Sequence, residues 1–83
     1  MYCYFTFRSI TPAQQGLRAL QKAGVGAQLM RTPGQLPGTG CSYAIRVRGG
    51  AGSQAAAALR EAGAPYQAAF VWQEGDRPRE AAL

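Results

Sequence analysis

Two cysteines carry the reactive chemistry that this sequence offers, and Cys41 has the more unusual surroundings. It follows a loop rich in glycine and proline, which includes Gly38 and Gly40, and precedes an alternating run from Tyr43 to Arg48 that is typical of a strand. The pattern therefore predicts a thiol where a flexible loop meets a rigid strand. Such a junction can present a nucleophilic sulfur to another molecule. A hairpin also turns at such a place, so a purely structural Cys41 is the competing interpretation.

Residue types that are missing narrow the chemistry further. The chain has no histidine, so neither cysteine has the imidazole base that commonly activates a nucleophile. Two distant cysteines without histidine predict no metal site, and the glycine-rich loop lacks the pattern of a nucleotide cofactor loop. The sequence has neither a secretory signal pattern nor an apolar run long enough to span a membrane. We therefore expect a cytoplasmic protein without a cofactor, whose thiols are reduced.

Size and charge limit the architecture and the partners. The 83 residues predict one small domain over 1–74, followed by a flexible polar tail over 75–83. The net charge of +5 favours anionic partners in general, among them sulfur or selenium oxyanions, acidic proteins and RNA. Because two short helices can cover only one side of a sheet, the apolar strands also predict a homodimer.

The periodicity alternates between strands and helices. The first helix is expected to begin after a Thr11 cap, with Pro12 at its first position, and to end at Gly24. The second is expected to begin after Ser53 and to end at Gly63. Strands are predicted at 2–8, 26–32, 42–48 and 66–73.

This βαββαβ order indicates a fold of the α+β class, a ferredoxin-like sandwich. Its predicted sheet has four antiparallel strands in the order 4-1-3-2, with the two helices on one face. In that topology the loop before Cys41, the end of strand 1, the end of strand 2 and the start of helix 1 meet at one end of the sheet.

The meeting of these elements predicts an anion-stabilising environment for Cys41. Free N–H groups at a helix start and arginine side chains favour thiolate over thiol, and they could also hold a small oxyanion. Cys3 lies at the opposite end of strand 1, so we expect a packing role for it and no disulfide with Cys41. The residues expected to stabilise an anion at Cys41 are Arg8, Ser9, Thr11 and Arg31.

Several of these segments resemble the domains of unknown function 3343, a family described as selenium/sulfur carrier proteins. The resemblance rests on Thr6-Phe7-Arg8-Ser9, Ala23-Gly24, Pro33 and Gly40-Cys41. It implies that Cys41 holds sulfur or selenium as a persulfide or perselenide. The donor would be a cysteine desulfurase or selenocysteine lyase, and a second protein would accept the atom. This describes a carrier rather than a stand-alone enzyme. Family members often have glycine after the cysteine, where this chain has Ser42.

Two other functions remain open from the residues. One is a small dimeric interaction or ligand-sensing domain in which Cys41 is incidental. The other is an RNA-binding module, because RNA-recognition domains share the βαββαβ order and stack bases on sheet aromatics. The residues that could do so are Tyr2, Tyr4 and Tyr43, with Arg46 and Arg48. Strand 3 has only one aromatic where that motif has two or three, so nucleic acid is not the expected partner.

Overall fold

The computed structural model describes residues 1–36, 40–73 and 75–83. Gly38, which the sequence analysis assigned to the loop before Cys41, lies outside the described residues. The elements in chain order are β1 (Tyr2–Phe7), α1 (Ile10–Lys22), β2 (Ala27–Arg31), β3 (Tyr43–Arg48), a 3-10 turn (Gly49–Ala51), α2 (Gly52–Glu61), β4 (Ala68–Trp72) and β5 (Arg79–Glu80). In the described ranges, no helix is both long and apolar enough to cross a membrane.

The sheet is antiparallel and has five strands in the order β2-β3-β1-β4-β5. Its first four strands have the predicted order, read from the other edge, so the α+β class is confirmed. The prediction of four strands was wrong by one, because β5 lies in the stretch expected to be a tail. It pairs Glu80 with Phe70 and Arg79 with Val71. This pairing satisfies backbone groups that β4 would otherwise expose along its edge.

Both helices begin differently from the sequence prediction. The N-cap of α1 is Ser9, in extended conformation, and Thr11 lies inside the first turn. Only two residues separate Phe7 from the start of α1, so the helix begins as soon as the chain leaves the sheet. Helix α2 begins at Gly52 and not after Ser53, because the preceding 3-10 turn continues into it without a break.

The helices pack on one face of the sheet, which we call the helix face. Gly16 of α1 is where the packing is closest, since a Cβ there would lie 3.0 Å from Cζ of Phe7 and 3.1 Å from Cδ2 of Leu59. The core on this face includes Cys3, Phe5, Phe7, Ile45 and Val47 from the sheet, and Ala13, Leu20, Ala55, Ala56 and Leu59 from the helices.

The opposite face, which we call the open face, has a different cover. A smaller buried cluster forms there from Tyr4, Ala44 and Phe70, and Leu36 of the β2–β3 connection packs against it. Leu36 is only 5% exposed. The β2–β3 connection therefore contacts the open face at Leu36.

Candidate functional site

The ends of three strands define the surroundings of Cys41. The β1–β3 ladder ends at the pair Phe7–Tyr43, and the β2–β3 ladder ends at Arg31–Tyr43. One step further, the Thr32 backbone N–H donates to the Ser42 carbonyl at 3.1 Å. Cys41 directly precedes this bond, so it lies at the end of the sheet where β1 and β2 finish and β3 begins.

Cys41 is more enclosed than the sequence suggested. It is 8% exposed, while Gly40 and Ser42 on either side of it are exposed. Gly40 has a φ of +57°, a left-handed conformation that glycine adopts without steric cost. Earlier in the same connection, Leu36 is packed on the open face. The expectation that the junction presents the Cys41 sulfur at the surface is therefore corrected, because Cys41 is buried.

The four residues predicted to stabilise an anion belong to elements at this same end. Arg8 and Ser9 follow β1, and Thr11 lies in the first turn of α1. The Arg31 guanidinium lies 5.3 Å from the ring centroid of Tyr43, so its charge is engaged with an aromatic face. All four side chains are exposed. Their influence on the Cys41 sulfur stays a prediction.

Thr32, whose backbone is paired with that of Ser42, was not among the residues predicted for this end of the sheet. Its Oγ1 is buried and has no hydrogen-bond partner among the described residues. A buried hydroxyl without a partner costs about 1–3 kcal/mol, so a native protein rarely retains one without a reason. A threonine before a proline at a strand end carries no sequence signal for this, since burial of the hydroxyl depends on the packing of the loop.

Cys3 is held in a closed environment at the other end of the sheet. It is 2% exposed, and its Sγ donates a long hydrogen bond of 3.9 Å to the Gly49 carbonyl. Burial raises the pKa of the Cys3 thiol above its ordinary value of 9.0. A Cβ at Gly52, the first residue of α2, would lie only 2.6 Å from this sulfur. The predicted packing role of Cys3 is confirmed.

The fold and this site define a small α+β domain with a cysteine at the head of an internal strand. Residues 2–71 match the family model described as "Putative Se/S carrier protein-like". Because the match spans well over half of the chain, the protein belongs to this family, as the sequence resemblance predicted. Neither the curated proteins nor the solved structures include a match to this chain.

Among the described residues, no group of three or more His, Cys, Asp or Glu could hold a metal ion.

Proposed function

We propose that this protein is a sulfur or selenium carrier and that Cys41 is the residue that holds the transferred atom. The main support is the contrast between the two thiols of a chain that belongs to this family. Cys41 is at a loop–strand junction between two exposed residues, while Cys3 is enclosed beneath α2. The element order of β1 to β4 supports a ferredoxin-like unit, to which β5 adds an edge strand.

The transfer is an exchange that needs no net oxidant. The Cys41 thiolate attacks the terminal sulfur of a persulfide on a desulfurase-type donor, and a new S–S bond forms as the old one breaks. The donor cysteine leaves as a thiolate. Cys41 then carries the persulfide until a thiolate of the acceptor attacks its outer sulfur and displaces Cys41 as a thiolate. With a selenium donor, the terminal atom is selenium and the bonds change in the same way.

The enclosure of Cys41 gives the carrier a resting state. A sulfur in a residue that is 8% exposed cannot meet a second protein's sulfur until the neighbouring chain shifts. Enclosure also limits the access of cytoplasmic thiols to a bound persulfide between donor and acceptor, because exchange requires direct attack on sulfur. Leu36 packs on the open face and belongs to the same β2–β3 connection that ends at Cys41, so we propose that its release accompanies the exposure of Cys41.

A persulfide anion at Cys41 needs donors or positive charge nearby. Arg8, Ser9 and Thr11 meet this need at the start of α1, and Arg31 does so from the end of β2. We propose the buried Thr32 hydroxyl as a further donor, because its backbone pairs with that of Ser42, next to Cys41, and it has no hydrogen-bond partner among the described residues.

Intact-mass measurement tests the proposal directly. The protein is incubated with a cysteine desulfurase and cysteine, and separately with a selenocysteine lyase and selenocysteine. We expect wild type and Cys3→Ser to gain the mass of one sulfur or selenium atom, which dithiothreitol removes. We expect no gain in Cys41→Ser. A gain that persists in Cys41→Ser and disappears in Cys3→Ser would contradict the assignment, and a gain in none of the three proteins would contradict the carrier function.

A further inference from the structure

The end of the open face farthest from Cys41 carries an aromatic surface. Tyr2 and Tyr4 of β1 point to the same side of the sheet as Trp72 of β4, which pairs with Tyr2. The rings of Tyr4 and Trp72 are 5.5 Å apart and inclined by 51°. A groove of about 440 Å³ lies here, lined by Met1, Tyr2, Tyr4, Arg46, Trp72 and Gln73.

Arg46 brings a positive charge into this groove. Its guanidinium lies 4.4 Å from the ring centroid of Tyr2, and its Nη2 donates to Oε1 of Gln28 at 2.5 Å. These two contacts hold the guanidinium plane in place. An arginine has five N–H donors, so the bond to Gln28 uses only one of them.

A second groove of about 440 Å³ adjoins the first across Tyr2 and Arg46, which line both. Arg48 and Gln28 also line this second groove. No aspartate or glutamate lines either groove in the part of the chain that the structure describes. The two grooves form one surface that combines π-faces with positive charge, and we call it the Tyr2–Trp72 surface. Each groove has the size of a small-ligand site.

The composition of this surface differs from the aromatic set considered in the sequence. Tyr43 packs against the core of the helix face, so it cannot share a surface with Tyr2. Trp72 of β4 takes part instead. The weak aromatic content of β3, which counted against nucleic acid, is therefore offset by an aromatic from β4.

We propose that the Tyr2–Trp72 surface binds a short stretch of single-stranded nucleic acid. Bases stack on aromatic rings and on guanidinium planes without regard to sequence, and Tyr2, Arg46 and Trp72 offer both. The phosphates of adjacent nucleotides are neutralised by Arg46 and Arg48, in a chain whose net charge is +5. The two adjoining grooves accept two successive nucleotides.

Charge argues against a second copy of the chain as the occupant. A two-fold interface places the same patch on both subunits, so Arg46 and Arg48 would face their own copies. Like charges brought together in this way cost binding energy unless anions separate them. The homodimer expected from the sequence would use this face, and sedimentation would detect it.

Trp72 is the single tryptophan of the chain, so its fluorescence reports on this surface alone. The full chain is titrated at low salt with an eight-residue oligouridylate, the matching oligothymidylate, a DNA duplex, a polyphosphate and a polyglutamate peptide. We expect both single strands to quench Trp72 with saturation, while the duplex and the two other polyanions do not. Raising the salt concentration should weaken binding of the single strands.

Two substitutions locate the site, and a third serves as the control. We expect Tyr2→Ala to weaken oligonucleotide binding about 5- to 150-fold, the range for loss of one base–aromatic stack. Arg46→Ala should weaken it about tenfold or more. Arg18→Ala removes the same charge from the exposed side of α1, and we expect a change below about threefold. Circular dichroism checks the fold of each variant, and backbone NMR shifts of the unaltered protein map the binding surface independently.

Three results would overturn the proposal. The first is evidence that binding depends on charge alone. This would be shown if Arg18→Ala and Arg46→Ala weakened oligonucleotide binding equally, or if polyphosphate quenched Trp72 as strongly as the single strands do. Another is quenching by polyglutamate that depends on Arg46, which would assign the surface to an acidic protein. The third is a dimer in sedimentation that Tyr2→Ala dissociates, which would make the surface a self-interface. The site is at the opposite end of the sheet from Cys41, so its failure would leave the carrier function untouched.

Discussion

The two cysteines occupy opposite ends of the same sheet, and both are buried by different means. Cys3 is covered by the start of α2, where its sulfur fills the space that a side chain at Gly52 would need. Cys41 is 8% exposed and lies between exposed residues, at the end of a connection that packs through Leu36. Cys3 is therefore enclosed by a helix of the core, whereas Cys41 is enclosed at the point where the β2–β3 connection enters β3.

Burial alone does not separate the two thiols, because Cys3 is 2% and Cys41 8% exposed. Exposing Cys3 requires α2 to separate from the sheet, which disrupts the main core. Under the proposed function, Cys41 would be exposed by a local opening of the β2–β3 connection, and local openings of loops cost far less than global unfolding.

The largest effect is expected from Leu36→Ala, which removes the contact that holds the loop on the open face. We expect a loss of about 2–5 kcal/mol in the free energy of unfolding, the usual cost of a buried leucine truncated to alanine. In a Cys3→Ser background, iodoacetamide should also label Cys41 faster than it does without the Leu36 change. Unchanged labelling would mean that this loop contact does not control access to Cys41.

Gly52→Ala tests the tight cover of Cys3. Because the added Cβ would lie 2.6 Å from the Cys3 sulfur, we expect a loss of about 1–3 kcal/mol in urea unfolding. The loss should be largely relieved in a Cys3→Ala background, where that sulfur is gone. Gly50→Ala in the same turn is the control, since a Cβ there meets nothing within 4 Å. Absence of coupling between positions 3 and 52 would contradict this packing.

Thr32→Val should separate stability from function at the Cys41 end. Removing a buried hydroxyl without a partner among the described residues should raise the free energy of unfolding by about 1 kcal/mol. The same change should slow sulfur loading from the desulfurase if the hydroxyl stabilises the persulfide. A more stable protein with unchanged loading would remove Thr32 from the site.

Alkaline pH should destabilise the protein through Cys3. Its pKa is raised in the folded state, so the thiol stays protonated there while the unfolded chain ionises. Its contribution is therefore fully present below the ordinary pKa of 9.0 and is lost as pH rises through the folded value. Comparing unfolding of wild type and Cys3→Ala from pH 7 to 10 should show a steeper decline in wild type. Parallel curves would contradict the burial effect.

The smallest effect is expected from Arg8→Ala. In the Cys3→Ser background it should slow iodoacetamide labelling of Cys41 by less than about fivefold at neutral pH, because exposed charges contribute little. Arg18→Ala, which removes the same charge from the outer side of α1, should leave the rate unchanged. Equal effects of the two substitutions would show that only net charge matters.

The sequence alone determined the elements whose signal is local. The aromatic and threonine-rich composition of β1, the alternation in β3 and the breakers between segments predicted the first four strands and both helices, and the crossover rule predicted the strand order. The family and the contrast between Cys3 and Cys41 could also be recognised in the residues. The helix starts were not predicted correctly from local capping preferences. Helix α1 begins at Ile10, two residues after β1 ends at Phe7, so its N-cap is Ser9 and not Thr11.

Tertiary structure decided what depends on contacts between distant parts of the chain. The pairing of Glu80 with Phe70 formed a fifth strand from polar residues that lack strand periodicity. Tertiary packing buried Leu36 and Cys41, and sheet register placed Trp72 beside Tyr2 while turning Tyr43 to the other face. Periodicity shows that a segment has two faces, but the neighbour that covers each face is set by the free energy of burying both partners together.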